Sequence, residues 1–113
     1  MQYALLAYGR PATPREAPGP IDDAIAAVLA RPHVTGWVRL HADESATTLR
    51  GNEGTTLLTD GPFIDSKEYL AGVIMIEVDD LDAALAVAQE LRDAGSVGAI
   101  EVRPVIEGLF RGA

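Results

Sequence analysis

The chain has 113 residues, 48% of them hydrophobic, which suits one compact domain spanning residues 1–113 and is too short for two. Its formal net charge of −8 argues against a nucleic acid or an anionic membrane surface as partner, because both attract basic patches. The absence of cysteine excludes disulfides and thiol chemistry, and the N-terminus lacks the basic start and cleavage site of a signal peptide, so we expect a soluble cytoplasmic protein.

The first third of the chain is predicted to form a strand, a loop and a short helix. Residues 2–8 are apolar on both alternating faces, which is typical of a strand covered on two sides. Residues 9–20 contain four prolines and no periodic pattern, which predicts a loop. From Ile21, apolar residues recur at helical spacing until Pro32, which predicts a helix of about three turns.

The middle of the chain is predicted to form short strands and a stiff loop. β-Prone runs occupy residues 34–42, 46–50 and 55–59, and the last two are separated by a hairpin turn at residues 51–54. The run Asp60-Gly61-Pro62-Phe63 predicts a rigid turn, because glycine tolerates unusual backbone angles and proline fixes its own φ. From Asp65 to Glu68 the pattern is typical of a capping box that opens a single helical turn.

The last third is predicted to form a strand, a helix and a strand. Residues 72–78 are apolar on both faces, as expected for a central strand. Asp79 and Asp80 are typical helix caps, and apolar residues then recur at helical spacing until Gly95. Residues 97–105 predict a final strand that ends at an edge.

The order β-α-β-β-α-β predicts a ferredoxin-like α+β fold, with an extra hairpin between residues 44 and 59. Two helices cover only one face of such a sheet, yet the strands at 2–8 and 72–78 are apolar on both faces. We therefore expect a homodimer in which two sheets pack face to face as a dimeric α+β barrel. A ligand or a different protein is the alternative cover.

Several motifs occur together in a characteristic order along the chain. They are Asp60-Gly61-Pro62-Phe63, Lys67-Glu68, Ala71-Gly72, the run at residues 76–84, and Val102-Arg103-Pro104-Val105. In order and spacing they resemble the DGPF-domain branch of the YCII-related proteins, and residues 1–9 look similar too. Residues 10–33 depart from that pattern, because family members usually carry a longer helical segment there.

This resemblance implies a dimeric ferredoxin-like α+β barrel and a family whose biochemical role is largely unsettled. In the wider family, a histidine on the first helix and an aspartate have been proposed as a catalytic pair, and some relatives act on chlorinated hydroxyquinones. The first predicted helix here contains no histidine, and His33 follows Pro32 just beyond it. Genes of DGPF proteins often neighbour genes for extracytoplasmic-function sigma factors, which implies a regulatory or stress-linked setting.

Asp60 and His41 are the candidate catalytic residues. Asp60 can act as a general base if the barrel mouth raises its pKa by desolvation, although an aspartate before glycine more often caps its own turn. His41, near Asp43 at the end of a predicted strand, can serve as a proton shuttle, whereas its simpler role is that of a partly exposed strand-end histidine.

Lys67, Glu68, Arg103 and Phe63 are the candidate ligand-binding residues. Lys67 can hold an anion, but beside Glu68 it more simply forms a surface ion pair. Arg103 can clamp a carboxylate or phenolate, and its structural alternative is an ion pair with Glu77 or Glu101. Phe63 can line an aromatic cavity together with Trp37, Tyr3, Tyr8 and Tyr69, which otherwise serve as core and interface anchors.

Two functions of different class remain open from the sequence. The first is a protein that binds a small aromatic or quinone-like molecule at a pocket near the Asp60–Lys67 loop, and that also transforms this molecule if the protein is an enzyme. The second is a noncatalytic regulatory or interaction module linked to stress or sigma-factor signalling. We predict no metal ion and no other cofactor, because the two histidines and the scattered acids match no common ligand spacing.

Overall fold

The described part of the chain folds into a four-stranded antiparallel sheet, two helices and a separate hairpin. The computed structural model describes residues 1–9, 20–63, 68–95 and 98–109. In chain order the elements are β1 (Gln2–Gly9), α1 (Asp23–Leu29), β2 (Val34–Arg39), a 3-10 turn (Asp43–Ser45), β3 (Thr47–Asn52), β4 (Thr55–Asp60), β5 (Tyr69–Glu77), α2 (Leu81–Ala94) and β6 (Ala99–Pro104). The strand order is β2-β5-β1-β6, with β3 and β4 forming a two-stranded sheet of their own.

The α+β class, the two helices and the extra hairpin are confirmed, and the strand order is consistent with a ferredoxin-like fold. Several boundaries differ from the prediction. Helix α1 has seven residues, or two turns rather than three, because it starts at Asp23 and ends at Leu29. The predicted capping box begins at Asp65, which lies outside the described residues. Among those residues no helix is both long enough and apolar enough to cross a membrane.

One face of the main sheet forms the core against the helices. Leu5 and Ile76 are fully buried at 0% exposure, and α2 adds its own buried stripe of Ala84, Val87, Ala88 and Leu91. On the opposite face Leu6, Val73 and Met75 are only half-buried, and no described element covers them. Both faces of β5 carry apolar side chains, as predicted, but only one of the two faces is covered by a described element.

Helix α2 begins and ends at the predicted residues for two different reasons. The Asp80 carboxylate accepts a hydrogen bond from the backbone N–H of Ala83 at 2.9 Å, as in an ordinary N-cap. Gly95 ends the helix in an extended conformation, with φ at −145°. A Cβ at Gly95 would displace the tip of the Ile25 side chain of α1, so glycine here favours close packing of the two helices and does not serve a left-handed turn.

The β3–β4 hairpin stands apart from the main sheet. Its turn consists of Glu53 and Gly54, whose φ angles of 49° and 84° are both positive, as in a type I′ turn. Leu49 lies directly opposite Leu58 in the ladder, and both side chains are about two thirds exposed, at 68% and 67%. Every residue of β4 is exposed, so this hairpin contributes little to the core.

Candidate functional site

An open cleft of about 570 Å³ lies where β1 ends and β5 begins. We call it the aromatic cleft, because three aromatic rings contribute to its walls. The described residues that line it are Tyr8, Leu40, His41, Ala42, Asp43, Ser45, Ala46, Pro62, Phe63, Glu68, Tyr69 and Leu70. They come from the end of β1, the start of β5, the segment between β2 and β3, and the turn after β4.

Two short hydrogen bonds hold the turn after β4 against the start of the hairpin, at Ala46 and Thr48. The backbone N–H of Gly61 donates to the carbonyl oxygen of Ala46, and the Thr48 hydroxyl donates to the carbonyl oxygen of Gly61, both at 2.7 Å. Gly61 has a φ of 98°, a region that favours glycine. This geometry turns the chain sharply and brings Pro62 and Phe63 to the wall of the cleft.

Phe63 is positioned by a cation–π contact. The guanidinium carbon of Arg50 lies 5.0 Å from the centre of the Phe63 ring, and the Phe63 side chain is otherwise 67% exposed. Arg50 is on β3, so the hairpin supports the ring from outside the cleft. An exposed aromatic ring held in this way can stack on a planar ligand.

His41 lies on the segment that follows β2. The backbone N–H of Leu40 donates to the carbonyl oxygen of Ala71 at 2.8 Å, which continues the pairing of β2 with β5 by one residue. This bond keeps the next residue, His41, beside the start of β5, where its exposed side chain lines the cleft. The imidazole can therefore reach a ligand in the cleft.

Glu68 contributes a half-buried carboxylate at the edge of the sheet. A Cβ at Gly98 would lie 3.1 Å from Glu68 Oε1, so the carboxylate packs closely over that glycine. The N–H of Gly98 donates to the carbonyl oxygen of Tyr8 at 3.0 Å, which ties β6 to the same end of β1. Tyr8, Glu68 and Tyr69 thus form one side of the cleft.

A family model described as the YCII-related domain matches residues 1–108. The chain belongs to the YCII-related family. It is also similar to an uncharacterised protein of Rhizobium meliloti (strain 1021), with 44% identity over 68 residues. That match covers 59% of this chain, and it spans only about half of the relative, 55% of its length.

In this YCII-related protein the aromatic cleft brings together three of the six predicted site residues, namely His41, Phe63 and Glu68. Asp60 is exposed at the end of β4 and is not among the residues that line the cleft. Arg103 lies on β6 and forms an ion pair with Glu101 at 3.0 Å, which was its structural alternative. Lys67 lies outside the described residues. The catalytic and ligand-binding roles stay predictions.

Sequence reasoning missed Arg50, whose contact with Phe63 depends on where the hairpin lies relative to the turn. It also treated the five aromatic residues as equivalent. Tyr8 and Tyr69 line the cleft, while Tyr3 is buried in the core and Trp37 lies on β2 away from the cleft. No group of three or more histidine, aspartate or glutamate side chains in the described ranges could hold a metal ion.

Proposed function

We propose that this YCII-related protein belongs to the DGPF branch and binds a small aromatic molecule with an ionisable hydroxyl group, such as a phenol or a hydroxyquinone. The observation that carries the proposal is that the aromatic cleft combines Tyr8, Phe63 and Tyr69 with the imidazole of His41. A cleft of about 570 Å³ suits such a ligand, since small-molecule sites usually measure roughly 300–1,000 Å³.

The chemistry of the lining residues supports this class of ligand. Aromatic rings prefer to stack on other rings, and each such pair adds about 0.5–1.5 kcal/mol beyond simple burial. An imidazole has ring nitrogens that can accept or donate a proton, so His41 can accept the proton of a phenol or donate a hydrogen bond to a phenolate. A further prediction is that the protein turns over its bound ligand, with His41 or Asp60 transferring the proton. This prediction depends on the binding proposed above.

The proposal includes a homodimer. Its support is the apolar face of the sheet that the helices leave open, where Leu6, Val73 and Met75 are half-buried and Val38 is 53% exposed. Apolar surface stabilises a complex by roughly 25 cal/mol per Å² when it is buried, and a twofold axis brings the same face of a second copy against it.

Light scattering at micromolar concentration tests the dimer. The wild type should have the mass of a dimer, and Val73→Asp should have that of a monomer. A monomer mass for the wild type contradicts the proposal.

A noncatalytic interaction module linked to stress or sigma-factor signalling is the second candidate function. The β3–β4 hairpin favours it, because the opposed Leu49 and Leu58 side chains are exposed and exposed apolar surface often marks a site of protein contact. The two candidates differ in a ligand screen. A pure interaction module is not stabilised by any aromatic ligand, and Leu58→Ser should weaken the binding of its protein partner.

The experiment is a thermal-shift screen of phenols and hydroxyquinones, with cyclohexanol as the matched non-aromatic control. At about 100 times its dissociation constant, a bound ligand stabilises the fold by about 2.7 kcal/mol. We expect an aromatic ligand to stabilise the wild type, and His41→Ala and Phe63→Leu to lose most of that stabilisation. Arg92→Ala changes an exposed residue of α2 that is not among the residues lining the cleft; it is the control and should respond like the wild type.

Three results would contradict the proposed function. They are the absence of stabilisation by every aromatic ligand, equal stabilisation by cyclohexanol, and an equal loss in Arg92→Ala and His41→Ala. Asp60→Ala tests the predicted general base separately. Because Asp60 is not among the cleft residues, we expect this variant to keep its affinity, and any role of Asp60 in proton transfer would then show only in a turnover assay.

A further inference from the structure

A second cavity, of about 350 Å³, lies on the other side of the sheet, beneath α1. Its floor is one row of residues across the four strands. Arg39 of β2 pairs with Gly72 of β5, Gly72 pairs with Ala7 of β1, and Ala7 pairs with Ile100 of β6. Residues paired directly across strands point to the same face, and here that is the face covered by the helices.

The cavity exists because the two central positions of this row, Gly72 on β5 and Ala7 on β1, are small residues. In the neighbouring row Leu5 and Ile74 fill the space under the helices, whereas Ala7 and Gly72 leave it open. Helix α1 has only seven residues and does not extend to close the space. The walls are aliphatic and come from Ile25 and Leu29 of α1 and Leu91 of α2. The interior is therefore suited to a branched apolar group.

Two side chains of opposite charge line this otherwise apolar cavity. Arg39 and Asp22 both line it, and both side chains are exposed, so they lie on its solvent side. Within the described part of the chain neither makes an ion pair or a side-chain hydrogen bond, with each other or with any other residue. The unpaired guanidinium of Arg39 can bind the carboxylate of a ligand, and the unpaired carboxylate of Asp22 can bind an ammonium group.

From this arrangement we infer that the cavity under α1 binds an apolar α-amino acid, with the ligand's carboxylate at Arg39, its ammonium group at Asp22 and its aliphatic side chain under α1. Such a molecule carries both charges on one carbon atom and an apolar group beside them. It satisfies both exposed charges and fills the aliphatic space at once. This site is separate from the aromatic cleft and does not rest on the function proposed for that cleft.

The test compares L-leucine with two analogues that each lack one charge. 4-Methylpentanoate lacks the ammonium group, and 3-methylbutylamine lacks the carboxylate. Binding is followed by isothermal titration and by the fluorescence of Trp37, the single tryptophan, which pairs with Ile74 in the row next to the cavity. We expect L-leucine to bind and each analogue to bind at least about tenfold more weakly, because a charge-assisted hydrogen bond is lost.

Two variants and a matched control complete the test. Arg39→Gln and Asp22→Asn should each weaken L-leucine binding by about tenfold or more, and both change exposed side chains, so circular dichroism should show an intact fold. Asp23→Asn alters the adjacent acid, which does not line the cavity, and should bind like the wild type. The inference is overturned if L-leucine does not bind, if 4-methylpentanoate binds equally well, or if both variants keep wild-type affinity.

Discussion

Gly72→Ala should destabilise the fold, because the strand next to β5 comes too close for a side chain. A Cβ at Gly72 would lie 2.8 Å from the carbonyl oxygen of Val38 and 3.9 Å from Cα of Arg39. The nearest atoms belong to the backbone of β2, which is hydrogen-bonded to β5 and cannot rotate away as a side chain could. Forcing an extra carbon into a packed site usually costs about 1–3 kcal/mol.

Gly36→Ala is the matched control, since Gly36 is on β2 and nothing lies within 4 Å of a Cβ built there. Replacing a strand glycine by alanine in open space should be neutral or should stabilise by up to about 1 kcal/mol. Urea unfolding followed by circular dichroism measures both variants, and an unchanged m-value shows that the comparison concerns stability. If Gly72→Ala is as stable as Gly36→Ala, the close approach of β2 does not require glycine and the argument fails.

Three other substitutions test local features of the fold and the cleft. Asp80→Ala removes the N-cap hydrogen bond of α2 and should lower the free energy of unfolding by about 1 kcal/mol in a urea titration. Glu53→Asn should slow amide exchange in the hairpin, because asparagine before Gly54 suits the positive φ of a type I′ turn; faster exchange would refute that turn assignment. Thr48→Val deletes the hydroxyl that binds the Gly61 carbonyl, so phenol binding should weaken while the far-UV spectrum stays the same.

The sequence-based predictions were most accurate for elements whose apolar residues follow a simple pattern of burial. The segment at 72–78, apolar on both faces, indicated a central strand, and the apolar stripe of α2 indicated a helix packed on a core. Helix α1 was predicted one turn too long, because apolar spacing continues through Ile21 while the helix begins only at Asp23. Periodicity reports which side of a segment is buried and does not report where its hydrogen bonds begin.

The candidate site was predicted as separate residues, and its assembly depends on long-range contacts. Asp60 and Phe63 are three positions apart, yet the turn at Gly61 leaves the first on the hairpin and brings the second to the cleft. His41 reaches the same cleft because Leu40 pairs with Ala71, which is 31 residues further along the chain. Neither contact could be predicted from the order of neighbouring residues in the sequence, because both depend on how β2, β5 and the hairpin pack together.

Because the β3–β4 hairpin is separate from the main sheet and β4 is exposed, the wall of the aromatic cleft that it supports is less protected than β1 and β5. The turn that carries Phe63 is tied to Ala46 and Thr48, and not to the buried core. Local opening of this wall costs less free energy than global unfolding, so the cleft can lose its shape while the main sheet remains intact. Amide exchange should then be fast in the hairpin and slow in β1 and β5, and a ligand that stacks on Phe63 should slow the exchange of the hairpin alone.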